Sequence, residues 1–375
     1  MRATRRAALL ALAACTAARG AAAAGDAAID SVHRGRKINF PRDHGAHLGS
    51  NIEWWYVTGW LGTFDAPRWG FQITFFRSRT GLAADSASRF APAQLLFAHA
   101  ALTDLELRRP VHLHAQRVAR WSGRGDAPLA AAAIDDTALH IARWSLRSEA
   151  GVAARRLRAE VDGDFGFTLD LQATQPPLLQ GDAGFSLKAP QEQSASNHAS
   201  HYISEPQLQV RAEIAINGRR TAAQGRAWLD HEWSDSLLHP DAVGWDWIGI
   251  NLADGSALTA FRVRRADGSA LWAGGSWRGA NAAAQAFAAE EVRFTPGRVW
   301  ASPASGARYP VQWRVDTPVG RFDINALLDA QELDGRRSMG MLYWEGLCEL
   351  LDARGVRVGL GYLEMTGYAA PIKLS

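Results

Sequence analysis

Between Trp228 and Trp247 the chain gathers carboxylates, an imidazole and four indoles within twenty residues, as Trp228-Leu229-Asp230-His231-Glu232-Trp233 and Gly244-Trp245-Asp246-Trp247. Apolar walls disfavour the charged form of a carboxyl group and so raise its pKa, which makes a general acid usable at neutral pH. Indole faces can stabilise a cation through their quadrupole. A protonated carboxyl facing aromatic rings is what acid-catalysed attack on an isolated carbon–carbon double bond needs. In that reading Asp230 or Asp246 delivers the proton, Trp233, Trp245 and Trp247 line the developing carbocation, and His231 positions or deprotonates water. The alternative is a buried polar network in which Asp230 or a backbone carbonyl holds His231. Neighbouring residues of a strand point to opposite faces, so Asp230 and Glu232 share one face and His231 and Trp233 the other. The face with His231 and Trp233 is expected to line the cavity, with Asp246 supplied from the next segment and Asp230 and Glu232 behind.

Two further clusters carry similar chemistry. In Asn51-Ile52-Glu53-Trp54-Trp55-Tyr56 bulky aromatics project to both faces of a strand, so neither face can be plain solvent. Trp55 is read as an aromatic wall of an apolar ligand cavity, with core packing as the other reading. Tyr343-Trp344-Glu345-Gly346 and Gly361-Tyr362-Leu363-Glu364 place Tyr343, Trp344 and Glu364 as further ligand-contacting candidates, against the alternative of a salt bridge closing a barrel. The pairs His44/His47 and His198/His201 sit in loop-like sequence without a carboxylate or cysteine at metal-site spacing, so no metal site is expected. His99 reads as a satisfied interior histidine with a barrel-lining role open. There is no nucleophile elbow, no phosphate-binding glycine loop and no dinucleotide fingerprint.

The elements that must hold these residues are short period-two runs rich in aromatic and β-branched residues, broken by Gly, Asp and Pro about every ten residues. This predicts an all-β protein. Strands are expected at 52–61, 69–77, 95–103, 139–146, 156–161, 167–173 and 207–216, with hairpins around 264–269, 317–320 and 352–355. Residues 280–291 are Ala-rich and predict a helix. Residues 175–204, rich in Pro, Gly, Ser and Gln, predict a long loop. The economical architecture is two antiparallel β-barrels or sandwiches packed together and meeting near residue 220, one over 26–220 and one over 221–375.

Composition agrees with a folded chain: 47% hydrophobic and 21% charged residues exclude disorder. Arg2, Arg5 and Arg6 account for the whole formal excess of +3, and an apolar run, Ala7 to Ala14, follows them. Residues 1–25 therefore read as a secretory leader and the protein as exported, to the periplasm or to a membrane-anchored state. Leu12-Ala13-Ala14-Cys15 resembles a lipobox, with Cys15 the lipidation site and the membrane surface a partner; cleavage in the small-residue tract after it is the alternative. Without the leader no basic run with interleaved aromatics remains, so nucleic acid is not an expected partner. Cys348 is then the sole cysteine of the fold, which excludes an internal disulfide.

The ordered motifs Glu53-Trp54-Trp55-Tyr56-Val57-Thr58-Gly59, Gly70 to Arg77, Trp228 to Trp233, Gly244 to Trp247 and Gly361 to Tyr368 together resemble the lipocalin-like AttH family, related to the carotenoid hydratases called CrtC (hydroxyneurosporene synthase). The resemblance runs from about Asn51 to Tyr368. It implies two lipocalin-like β-barrel domains, an apolar isoprenoid- or lipid-like ligand, and relatives that add water to a terminal isoprenoid double bond without a cofactor. The His-x-Trp pattern shared with those hydratases falls on His231 and Trp233. Other relatives are exported and accompany ABC-type export systems, which implies an accessory binding protein as the alternative. The leader is a departure from the hydratases, which need pigment made at the cytoplasmic membrane. Function lives in the site rather than in the fold.

Overall fold

The computed structural model describes residues 32–82, 91–105, 110–123, 129–149, 154–191 and 198–372. The leader and Cys15 lie outside them. Among the described residues the only helical turns are two short 3-10 segments, Arg42–His44 and Ala289–Glu291, and no helix is long and apolar enough to cross a membrane. Everything else that is regular is antiparallel strand.

The first sheet has thirteen strands. Its path runs Val111–Trp121, Gln94–Asp104, Pro67–Arg79, Ile52–Gly62, Arg219–Ser234, Ala199–Ile216, Phe165–Gln172, Arg156–Val161, Trp144–Ser148, Ala138–Ile141 and Ala130–Ala132. The two ends approach each other, giving a nearly closed barrel whose interior is filled by alternate residues such as Val57, Leu61, Phe71, Ile73, Phe75 and Leu229. The second sheet has ten strands, with Gly244–Leu252, Arg357–Thr366 and Met341–Leu351 at its centre, and its own core around Ile248, Ile250, Trp313, Trp344 and Leu363.

Period-two alternation places the strands well because each is a pleated surface with large residues to pack. The hairpins expected around 264–269 and 352–355 form, and Gly268 and Gly355 supply their positive φ of 84° and 77°. Four expectations change. Residues 280–291 are not a helix: Gln285–Phe287 pairs with Gly275–Trp277 at the sheet edge, and ladder pairing outweighs alanine's helix preference in a segment without an apolar helical stripe. The run 139–146 is two strands, folded back at Ala142, which has a φ of 53°. The expected loop 175–204 contains Leu178–Leu179 and Phe185–Leu187, both paired with a strand that begins at Ala199. The division expected near residue 220 falls at the turn of a hairpin inside the first sheet, and the chain passes to the second sheet between Ser234 and Gly244.

The two sheets meet face to face. A third core, built from Tyr56, Trp60, Trp228, Trp247, Leu347 and Tyr362, lies between them. Trp247 meets Tyr56 and Trp228 edge-to-face, with centroids 5.4 and 6.3 Å apart, and such pairs add about 0.5–1.5 kcal/mol each beyond their buried area. Gly249 permits this, since a Cβ there would lie 2.4 Å from the Trp247 ring.

At one end of the interface a bulge between Glu205 and Leu208 turns Gln207 into the second sheet with φ of 58°. Its amide N–H donates to Asn251 Oδ1 (2.7 Å), and its Nε2 donates to the carbonyls of Leu252 (2.9 Å) and Ser256 (2.7 Å). Gln207→Ala removes two hydrogen bonds to buried carbonyls that each keep a backbone donor, from Gly255 N–H and Leu252 N–H, and at about 0.5–1.5 kcal/mol per hydrogen bond it is expected to cost about 1–3 kcal/mol. Thermal denaturation of the variant checks this.

Candidate functional site

The strands that face each other across the interface carry two kinds of residue on their shared side. Near the Gln207 end they are apolar and meet; at the other end Asp230, Glu232, Glu345 and Glu364 stand back from one another around a cavity of about 550 Å³. That volume suits a small organic ligand. Trp54, Trp245, Trp247, Phe76 and Phe97 supply aromatic wall, and a turn at Ser338–Gly340 forms part of the rim.

Alternation decides who enters. On Arg219–Ser234 the residues Trp228, Asp230 and Glu232 point to the interface, and Leu229, His231 and Trp233 point into the first barrel. Trp245 and Trp247 likewise reach the cavity, while Asp246 lies on the opposite face of its strand.

Asp230 is buried and accepts three hydrogen bonds: from Tyr202 Oη (2.5 Å), Ser204 Oγ (2.6 Å) and Trp228 Nε1 (2.6 Å). Trp247 Nε1 in turn donates to Tyr202 Oη at 3.0 Å. Burial nevertheless lifts the Asp230 pKa to about 7, against the pull of its three donors. Glu345 and Glu364 are direct cross-strand partners on Met341–Leu351 and Arg357–Thr366. Burial, and then the neighbouring Glu364, hold the Glu345 carboxyl well above the ordinary range. Burial lifts Glu364 to about 7, opposed by the Trp245 side chain and reinforced by Asp230 and Glu232. At neutral pH the cavity therefore holds a protonated carboxyl beside others close to half-ionised. Glu232 is different, being paired with Lys188 Nζ at 2.6 Å, and that ammonium also sits 4.8 Å from the Trp54 ring.

Of the residues expected at the site, Asp230, Trp245, Trp247, Tyr343 and Glu364 line this cavity. Five do not. Trp55 and Trp233 stack on His231 and His47, with centroids 4.6 and 3.6 Å apart, inside the first barrel. Trp344 belongs to the second core, its Nε1 donating to the Asp329 carbonyl at 2.6 Å. Asp246 is committed to Arg262 (2.7 Å), Arg264 (3.1 Å) and the Tyr368 hydroxyl (2.8 Å), so it cannot serve as the cavity's acid. His231 turns inward, donating from Nε2 to Glu53 Oε1 at 2.9 Å, and burial holds its pKa down to about 4. The expected face was thus the reverse of the observed one: Asp230 and Glu232 face the ligand space, because the neighbouring sheet covers that side, and His231 and Trp233 complete a barrel interior.

Glu53 organises that interior. It accepts from the His47 amide, from His47 Nδ1 (2.7 Å), from His231 and from Arg77 Nε (2.8 Å). Although burial opposes ionisation, Arg77 and His47 hold its carboxyl well below the usual range. His47, Glu53 and His231 also bring potential metal ligands within 4.8 Å of one another, the one such group found among the described residues. Arg77 and the His47 amide already occupy Glu53, so we read the group as a hydrogen-bonded hub rather than a metal centre.

Tyr202, Ser204, Lys188 and Glu345 were not singled out as site residues from sequence. Glu345 had a signal, being in register with Glu364 on a pattern that reads as a strand. Tyr202, Ser204 and Lys188 lie in the stretch expected to be a loop and had none.

Residues 31–368 match the family model described as AttH-like. The crystal structure of an AttH from Nitrosomonas europaea is 42% identical with a TM-score of 0.79, the match covering 90% of this chain and 99% of that one. Kievitone hydratase from Nectria haematococca is 15% identical, with a TM-score of 0.64 over 91% of this chain and 96% of that one. CghA is 12% identical, with a TM-score of 0.51 over the same shares, 91% and 96%. The latter two likenesses are of fold. A comparison with curated proteins gives no match.

Two outcomes follow from the site's electrostatics and packing. A carboxyl whose folded pKa is raised costs the fold stability once the unfolded chain ionises, and that cost grows from about pH 4.5 until the folded group ionises near 7. Glu364→Gln removes the penalty, so its melting temperature should match wild type at pH 4 and exceed it at pH 8, by a margin worth roughly 3 kcal/mol. Trp233→Ala, in the first barrel's interior, is expected to cost about 3–5 kcal/mol, and Trp245→Ala, half-buried on the cavity wall, much less. Denaturant titration of the two variants checks the contrast.

Proposed function

The chain belongs to the AttH-like family, and within it we propose that this protein is a cofactor-independent hydro-lyase that adds water to an isolated carbon–carbon double bond of an apolar, isoprenoid- or lipid-like molecule held between the two sheets. The observation that carries the reading is the set of desolvated carboxyls, Asp230, Glu345 and Glu364, in one aromatic-walled cavity. The name of one structural neighbour, kievitone hydratase, is consistent with it. A plain carrier of an apolar ligand needs the walls and gains nothing from burying three acids, so the accessory-binding alternative has less behind it.

The Glu345–Glu364 pair supplies the proton. Its protonated carboxyl adds that proton to one alkene carbon while the indole faces of Trp245 and Trp247 accommodate the positive charge on the other, an interaction worth about 0.5–2 kcal/mol per ring. Asp230, held ready by Tyr202, Ser204 and Trp228, takes a proton from water as the water oxygen bonds to the cationic carbon. One proton is delivered and one collected, and transfer from Asp230 back to the glutamate pair restores the starting state. Placement in the cell envelope rests on the leader and on Cys15. Release of the protein from membranes by Cys15→Ser would support the anchored form, and a mature N-terminus downstream of Gly20 would remove it.

Incubation of the purified protein with membranes containing acyclic carotenoids or other isoprenoids is expected to give a product heavier by one water. The rate rises through about pH 7 as Asp230 ionises and falls only at the higher pH at which Glu345 loses its proton. Asp230→Asn and Glu345→Gln should each slow turnover by on the order of 100-fold or more. Absence of any hydrated product, with lipid co-purifying in the cavity, would favour the carrier.

A further inference from the structure

The rim of the cavity holds a second arrangement that hydration does not use. Ser338, in the turn between the strands Glu332–Gly335 and Met341–Leu351, has its Oγ 2.6 Å from His99 Nε2. The other ring nitrogen of His99, Nδ1, is 2.6 Å from the Tyr343 hydroxyl. Ser338 and Tyr343 both line the cavity, and His99 comes from the opposite sheet, 239 residues away from the serine. The imidazole is buried, stacked on Tyr343 at 5.7 Å and met edge-on by Phe76 at 5.5 Å. A serine within hydrogen-bond reach of an imidazole that a third group orients is the signature of an activated nucleophile.

We infer that Ser338 is a nucleophile with His99 as its base, Tyr343 as the group that orients that base, and an ester of an apolar acid or alcohol as the chemical class of substrate. Burial lowers the His99 pKa to about 4, so the ring is neutral and able to accept a proton at physiological pH. With its own proton on Nδ1 donated to the Tyr343 oxygen, the Nε2 lone pair faces the serine. Burial keeps Tyr343 a neutral phenol. The serine hydroxyl has a second acceptor in the Gly335 carbonyl at 3.1 Å, the longer of its two contacts. Gly335 also leaves the ring its space, since a Cβ there would lie 2.8 Å from His99 Cε1.

The reaction consumes the ester and one water and needs no oxidant or reductant. Ser338 Oγ bonds to the ester carbonyl carbon as its proton passes to His99 Nε2; the carbon–alkoxy bond breaks and the alkoxide leaves with that proton as an alcohol. Water then attacks the acyl-serine, giving one proton to His99, which returns it to Ser338 Oγ as the carboxylic acid departs. The inference stands apart from the hydration reading, because it needs neither Asp230 nor the glutamate pair.

A fluorophosphonate probe tests it on the full chain without a known substrate, since phosphorus–oxygen bond formation at an activated serine expels fluoride. Peptide mass spectrometry is expected to place the adduct on Ser338 and to lose it in Ser338→Ala. The labelling rate should be flat above about pH 5 and fall as His99 is protonated around pH 4. His99→Gln should label on the order of 100-fold more slowly. Tyr343→Phe frees the imidazole to take the unproductive tautomer, so it should lower the plateau and leave the pH midpoint unchanged. Gly335→Ala should slow labelling by displacing the ring, with Ser338 and His99 both present. An unlabelled Ser338 in the folded wild type, or undiminished labelling in folded His99→Gln, overturns the inference.

Discussion

Strands with large side chains on both faces have to be covered twice. The central strands of this protein carry Trp54, Tyr56 and Trp60 on one side and Trp55, Val57 and Leu61 on the other, and water can satisfy neither. Curling the first sheet into a nearly closed barrel covers one side. The other is covered by the second sheet. The cleft follows from that requirement: where side chains are apolar the two faces touch, and where they are acidic they stand apart around a cavity.

The two sides of one strand then acquire opposite chemistry. Inside the first barrel Glu53 is surrounded by donors and stays ionised, its charge answered by Arg77 and bound by two imidazoles. Across the same sheet, among the described residues that line the cavity, the cations are Arg77, which Glu53 takes, and Lys188, which Glu232 takes. Burial without a counter-charge drives Asp230, Glu345 and Glu364 toward their neutral forms, which costs stability and makes proton donors. A fold that needed only to be stable would have no reason to keep them there.

Strand alternation, the hairpins and the pairing of aromatics with carboxylates were legible in the sequence, because local pleat geometry and turn chemistry fix them. The identity of the covered face was not. Asp230/Glu232 and His231/Trp233 alternate identically, and only the position of the second sheet decides which pair meets a ligand and which completes a barrel. The helix expected over 280–291 failed for a related reason, since pairing at a sheet edge is a tertiary fact. His99 and Ser338 lie too far apart in sequence for any spacing rule to join them, and Tyr202 was hidden in a stretch whose Pro- and Gly-rich composition concealed short strands. The family motifs located the right segments and, at His231 and Asp246, the wrong side of them.

The central claim is that the cavity keeps carboxyl groups protonated at neutral pH, and infrared spectroscopy reads that directly. The carbonyl stretch of an un-ionised, buried carboxylic acid should be present at pH 7, should weaken as pH rises through about 7 with the ionisation of Asp230 and Glu364, and should lose its remaining component in Glu345→Gln. A spectrum at pH 6 containing only ionised carboxylates, or a protonated-carboxyl band that Glu345→Gln and Glu364→Gln leave unchanged, would contradict the account.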